Sequence, residues 1–164
     1  MHPHHVMPMG ETSFVAIPPT AEYQQSLPLV DTWYPVAAPT TLLSNNMHLD
    51  APHFRIHSNG YSLQYIGRPA MFHTAFSGTC AVNRAREYAV ALAVNGTLVN
   101  SSYAQNNWPR ANTYISSAFH AVLSLNTGDY VNLIAKCLDA TNRVISWRNV
   151  NFVCISHEMR ERRG

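Results

Sequence analysis

Apolar and polar positions alternate with period two over most of the chain beyond about residue 53, the spacing that sends successive side chains to opposite faces of a pleated strand. The clearest stretch is EYAVALAVNGTLVNSS (87–102), where two apolar runs meet at Asn95 and Gly96. Both residues tolerate positive φ, so the pair predicts a type I′ hairpin turn whose twist matches its flanking strands. Ala and Leu in AVALAV favour helix, but the turn chemistry and the short run select strand. HFRIHS (53–58) and YSLQYI (61–66) flank a second such pair, Asn59 and Gly60, predicted to close in the same way.

Further runs extend the pattern. VDTWYPV (30–36) reads as a first strand carrying Trp33 and Tyr34, and MFHTAFSGTCAV (71–82) as a long strand with Gly78 a candidate bulge. AQNNWPRAN (104–112) reads as a polar loop. TYISSAFHAVLSL (113–125) alternates with Tyr114, Ser116, Ala118, His120 and Val122 on one face and Ile115, Phe119 and Leu123 opposite. A turn at Asn126 to Asp129, containing Gly128, leads into YVNLIAKCL (130–138); RVISW (143–147) and VNFVCIS (150–156) read as a closing pair. About ten short strands with no helical stretch define an all-β domain, a sandwich or barrel.

Residues 1–29 stand apart. Seven of the chain's ten prolines fall before residue 40, a density that excludes helix and favours an extended, polyproline-like arm. Holding such an arm in place costs about 1–2 kcal/mol of backbone entropy per residue, so it needs a surface to lie on, and neighbouring subunits are the expected one. The expected organisation is an arm over 1–29, a β domain over 30–157 and a charged tail over 158–164.

Composition changes the picture in one respect. Hydrophobic residues make up 46% of the chain but charged ones only 12%, about half the usual share. Two readings stay open: a surface largely buried against partners, or a polar, uncharged β surface. The net charge of +2, from ten arginines and one lysine against nine carboxylates, is too small to mark a nucleic-acid or membrane-surface protein. Arginine without lysine suits fixed interface contacts. Cys80, Cys137 and Cys154 each sit in an apolar run and read as reduced core thiols. The first residues lack the pattern of a signal peptide, and no apolar run reaches the length of a membrane span, which places synthesis in reducing cytosol. The sequons at Asn95 and Asn100 are then chance matches.

Candidate chemistry is sparse. His2, His4 and His5 lack a carboxylate or thiol beside them, and His48, His53, His57, His73, His120 and His157 show no metal-ligand spacing. No nucleophile elbow, phosphate loop or dinucleotide fingerprint is present, and the carboxylates are scattered singly. The expectation is no enzyme, no metal and no cofactor. Trp108 and Arg110, with Tyr103 nearby, have the make-up of an interface hot spot, although a loop Trp capping its own core fits equally well. Trp33 and Tyr34 complete the candidate partner-binding set. Asn59, Gly60, Asn95, Gly96, Gly128 and Asp129 are structural turn residues. The arginines of the tail, Arg160, Arg162 and Arg163, read as a solvated end or a subunit contact.

YSLQYIG, VALAVNGTLV and AVLSLNTGDYVNLIAKCLD, the last containing Leu125, Gly128, Asp129 and Val131 in an LxxGDxV pattern, occur in an order that resembles the jelly-roll domain of the tumour-necrosis-factor and complement globular-head superfamily. The order is similar also to viral members of that fold, in head-fibre, decoration and minor capsid or vertex proteins. The likeness covers residues 30–157 and implies a single jelly-roll sandwich with a structural, not catalytic, Gly-Asp turn. It further implies a virion protein that forms a homo-trimer or homo-pentamer and grips other capsid proteins through residues 1–29. The alternative is a trimeric jelly-roll module that recognises a receptor or glycan.

Overall fold

The structure is a computed structural model that describes residues 9–15, 22–44, 53–84 and 86–156. His2, His4, His5, His48, His157 and the tail 158–164 lie outside these residues. Thirteen strands are present among them. In chain order they begin with β1 (Met9–Val15), β2 (Tyr23–Leu27), β3 (Tyr34–Pro35), β4 (Thr41–Ser44), β5 (Phe54–Ile56) and β6 (Leu63–Tyr65). There follow β7 (Ala70–Val82), β8 (Arg86–Val94), β9 (Thr97–Leu98), β10 (Ala104–Trp108), β11 (Ile115–Leu125), β12 (Tyr130–Cys137) and β13 (Arg143–Ser156). Every pairing is antiparallel. One sheet runs β11-β7-β13-β1-β4 with β2 also on β13; the other runs β10-β8-β12-β6-β5 with β9 on β8 and β3 on β12. This is the all-β jelly-roll sandwich expected from the alternation; β7 and β11 bury alternate side chains, whereas β8 and β12 bury nearly every one.

The core forms where those faces meet. Phe72, Phe76, Trp147 and Phe152 of the first sheet pack toward Tyr65, Tyr88, Leu92 and Leu133 of the second. Phe54, Tyr65 and Phe72 make a triangle with ring centroids 4.9–5.5 Å apart, in tilted and edge-to-face geometries that the ring quadrupoles favour. Cys80, Cys137 and Cys154 are buried thiols in this layer. Burial pushes the Cys80 thiol up to about 12, so it stays protonated and unreactive at neutral pH.

The two residues expected to close the Asn95 hairpin do so, with φ of 53° at Asn95 and 82° at Gly96. Beyond Leu98, however, the predicted strand over 97–102 gives way to a 3₁₀ turn at Asn100–Ser102. The Ser102 hydroxyl accepts the Leu92 amide at 2.8 Å and donates to the Val99 carbonyl at 2.7 Å, filling the gap in the β8 ladder. The chain then returns to the same edge of β8 as β10, so the predicted loop over 104–112 is half strand. The Asn59 turn departs further. Asn59 is not at positive φ; only Gly60 is, at 85°. A wider loop is closed by the His57 amide on the Ser62 carbonyl, while Asn59 Oδ1 accepts the amides of Tyr61 and Ser62. An Asx cap replaces the two-residue turn there. The third turn residue set behaves as expected: Gly128 has φ 95°, and Asp129 Oδ2 accepts the Asn126 amide at 2.8 Å. Asp129 Oδ1 also accepts Asn95 Nδ2 at 2.9 Å, tying two turns at one end of the sandwich.

Three further expectations are corrected. RVISW and VNFVCIS are one strand, β13, kinked by a bulge at Arg148. Gly78 is not itself the bulge: it pairs with Val150 just beyond it, where an added Cβ would stand 3.0 Å from the Asn149 carbonyl and 3.2 Å from the Trp147 ring. Glycine is needed for that close approach. VDTWYPV contributes only Tyr34–Pro35 as strand.

The described parts of the arm are likewise extended but not free-standing. β1 pairs with β13 from Met9 to Val15, and β2 pairs with it from Tyr23 to Leu27. Gln25, 2% exposed, explains why β2 is held. Its Oε1 accepts the buried Trp147 indole N–H at 2.9 Å, and its Nε2 donates to the carbonyls of Tyr34 and Pro35 at 2.9 and 3.0 Å. One side chain thus joins both sheets and satisfies three groups. Replacing it by leucine strands all three, and an unsatisfied buried group costs about 1–3 kcal/mol. Gln25→Leu is expected to lower the urea midpoint by an amount equivalent to about 2–4 kcal/mol, and an unchanged midpoint would contradict this role.

Candidate functional site

The expected partner-binding residues do not form one surface. Trp108 ends β10 pointing inward, 1% exposed, with its ring edge-on to Tyr88 at 5.5 Å. It is a core residue, so the hot-spot expectation is corrected and the core-capping reading holds. Its indole N–H has no acceptor among the described residues. Arg110 is exposed in the turn that follows. Tyr34 lies flat beside β12, its hydroxyl accepting the Leu29 amide at 3.1 Å and its ring against the core.

Trp33 and Tyr103 do come together, edge to face at 5.8 Å. What joins them is Lys136, the chain's single lysine, which alternation places on the outer face of β12 with Tyr130, Asn132 and Ile134. Its Nζ sits 4.7 Å from the Trp33 centroid and 5.9 Å from that of Tyr103, and 2.6 Å from Asp31 Oδ1. Asp31 adopts the left-handed φ of 52°, with its amide donating to the Cys137 carbonyl at 2.7 Å. That turn lays Trp33 over Ala91, Ala93 and Ile134, which are buried by the chain itself together with Leu98. The outer, alanine-rich face of β8 is thus covered by Trp33 and Leu98 of the same chain. Neither Lys136 nor Asp31 stood out in the sequence, because their 105-residue separation hides the pair.

Beside Trp33 the surface opens into a groove of about 240 Å³. Strand β12 gives one edge to β6 at Tyr130 and Val131 and to β3 at Ile134 and Ala135, and the groove lies over that change of partner. Ala93 and Ile134 form its floor, and Trp33, Tyr61, Tyr130 and Asn132 its sides. Tyr130 stacks one ring face on His57 at 4.2 Å. No Asp, Glu, Lys or Arg lines it.

The first sheet is different on its outer face. Met71, His73, Ala75, Ser77 and Thr79 of β7 alternate outward, beside Ser116, Ala118, His120, Val122 and Ser124 of β11. On the other flank stand Asn149, Asn151, Val153 and Ile155 of β13. None of these side chains is charged. Met71, Val122 and Ile155 are 45%, 40% and 36% exposed. The face ends at Arg148, whose guanidinium lies 3.8 Å over the Tyr114 ring and reaches Glu22 at 3.3 Å, and at β1, where Glu11 takes the register position beside Val153. Among the described residues no cluster of three or more His, Cys, Asp and Glu side chains could hold a metal ion, and no helix is long and apolar enough to cross a membrane.

Solved structures with this architecture include an Eiger TNF from S. frugiperda, 11% identical with a TM-score of 0.56 over 96% of this chain and 98% of that one. Murine APRIL is 10% identical, also with a TM-score of 0.56, over 90% and 98%. The globular domain of zebrafish complement 1qA protein, 12% identical over 94% and 98%, aligns at 0.48 and adds no weight. No family model and no curated protein matches the chain by sequence. The chain therefore shares a jelly-roll sandwich architecture with these two structures, Eiger TNF and APRIL.

The burial of Trp108 yields a stability test. Trp108→Ala is expected to destabilise the domain by about 3–5 kcal/mol in urea unfolding, whereas Trp108→Phe, which keeps the ring and drops an unsatisfied N–H, stays much closer to the parent. Equal stability of the alanine variant would return Trp108 to the surface.

Proposed function

We propose that this chain is a non-catalytic building block that associates with copies of itself through the outer face of β7, β11 and β13. The observation that carries the reading is the absence of charge across that face. Interface cores are depleted in charged residues, and a lone domain normally covers an exposed sheet with them. Small side chains such as Ala75, Ser77 and Ala118 let another surface approach closely, and Met71, Val122 and Ile155 supply apolar area. A closed cyclic assembly, trimer or pentamer, satisfies the same face on every copy. The setting we favour is the one implied by the sequence resemblance, a virus particle in which such oligomers pack against other capsid proteins. The charge-poor composition supports it, since most of such a subunit's surface is covered.

A second reading, a module that recognises a receptor or glycan, is favoured by the groove at Trp33. Its aromatic and amide walls suit a neutral, hydroxyl-rich ligand, and it replaces the 104–112 stretch as the place to look, since Trp108 is buried. Asn132→Ala with Tyr61→Ala is expected to abolish capture on a glycan array without changing oligomeric mass; undiminished capture would remove the groove from consideration.

For the leading reading the measurement is mass by light scattering at micromolar concentration. The parent is expected to be an oligomer. Val122→Arg, which would bury an unpaired charge at several kcal/mol, is expected to weaken association by on the order of 100-fold or more with an unchanged circular dichroism spectrum. A monomeric parent, or an arginine variant of unchanged mass, would contradict it.

A further inference from the structure

Resting on the second reading above, the groove at Trp33 as a glycan site, we propose that it takes a single neutral sugar unit bearing an acetamido group, held by Asn132. Asn132 stands on the outer face of β12 and is only 7% exposed, yet it lines the groove. Its side chain makes one hydrogen bond to the described residues, from Nδ2 to the Leu133 carbonyl at 2.9 Å. A carbonyl only accepts, so the nitrogen is the end of the amide that faces it. Oδ1 is left over, an acceptor on a side chain more than nine-tenths buried, with no partner among the described residues. The other amide at the groove is spent. Asn59 Oδ1 accepts the amides of Tyr61 and Ser62, and its Nδ2 donates to the Ser62 hydroxyl at 2.9 Å. A buried acceptor without a donor is costly, and a ligand N–H or O–H removes that cost.

The size and lining of the groove narrow the donor. Its volume of about 240 Å³ falls below the roughly 300–1,000 Å³ of pockets for drug-sized ligands, so one ring fits and a chain does not. Beside Asn132 the floor is Ala93 and Ile134, with Leu98 at its margin. A sugar hydroxyl set on that floor would lose its water and gain no partner. An acetamido group avoids this. Its amide is planar and trans, which puts the methyl on the same side as the N–H. One substituent thereby offers a donor to Asn132 Oδ1 and an apolar cap to Ile134. Tyr130, two residues before Asn132 on the same face of β12, gives one ring face to His57 at 4.2 Å and keeps the other for the sugar ring. With no Asp, Glu, Lys or Arg in the lining, a neutral sugar is favoured over an anionic or cationic one.

The test is saturation-transfer NMR on the full chain with the methyl glycosides of glucose, galactose, N-acetylglucosamine and N-acetylgalactosamine. At least one acetamido sugar is expected to bind about tenfold or more tightly than its parent hexose, with the acetyl methyl protons receiving the largest saturation. Asn132→Leu, close in volume but without the acceptor, is expected to lose that preference with an unchanged circular dichroism spectrum. The comparison of sugars on the parent protein stands whether or not this variant folds. Equal binding of hexose and acetamido sugar, an acetyl methyl that receives no saturation, or a preference undiminished in Asn132→Leu overturns the acetamido assignment and leaves the groove as a glycan site. Binding of none of these sugars overturns both.

Discussion

The strand β13 is the constraint on which the rest of the molecule depends. It pairs with β7 along nearly its whole length on one edge, and on the other it holds β2 up to Trp147 and β1 from Asn149 onward. The bulge at Arg148 is where that partner changes. A bulge adds one residue and a local bend, and here it allows two separate strands from the start of the chain to share one edge. Gly78 makes room beside it across the ladder, and Trp147, immediately before it, donates to Gln25 on the adjacent strand β2. Removal of residues 1–29 would therefore strip two strands from this edge and leave the Trp147 indole without its acceptor. The arm belongs to the sandwich before it can belong to any neighbour.

Much of this was legible in the sequence, for a physical reason. Strand alternation and turn chemistry are local signals. Asn95, Gly96, Gly128 and Asp129 did what their allowed φ values and short polar side chains dictate, and the inward and outward faces of β11 came out as the period of two requires. What escaped were features set by distant partners. Gln25 is an ordinary polar residue in a Pro-flanked stretch until Trp147, 122 residues away, arrives beside it. The continuity of β13 through Arg148 brings the Asn149 carbonyl close over residue 78 of β7, where glycine leaves room. Asn59 and Gly60 formed the same dipeptide as Asn95 and Gly96, yet the Asn59 side chain capped the loop and a wider turn won. Trp108 carried two readings because burial and hot-spot composition select the same residue type, and only the packing against Tyr88 separates them.

The candidate surfaces divide along the two sheets. The outer face of β8 and β12 is closed by the chain's own Trp33, fixed there by Lys136, Asp31 and Tyr103, so its small alanines are spent within the molecule. Among the described residues, none is seen to close the outer face of β7, β11 and β13 in that way between Arg148 and the end of β13. The low charge content, ambiguous in the composition between a bland surface and a buried one, acquires a location: the outward positions of β7, β11 and β13 from Thr79 to Met71 carry none.

The central claim is that this face is shielded by other copies, and Met71 reports on it directly. It stands 45% exposed in the protomer, at the end of the face one outward position beyond Val122 and Ile155. Hydroxyl-radical footprinting read by mass spectrometry, at protein concentrations above and below association, measures its solvent access in both states. Oxidation of Met71 is expected to fall several-fold in the concentrated sample while an exposed residue outside the face, Tyr103 on the opposite sheet, is labelled equally in both. Equal labelling of Met71 at every concentration would contradict it.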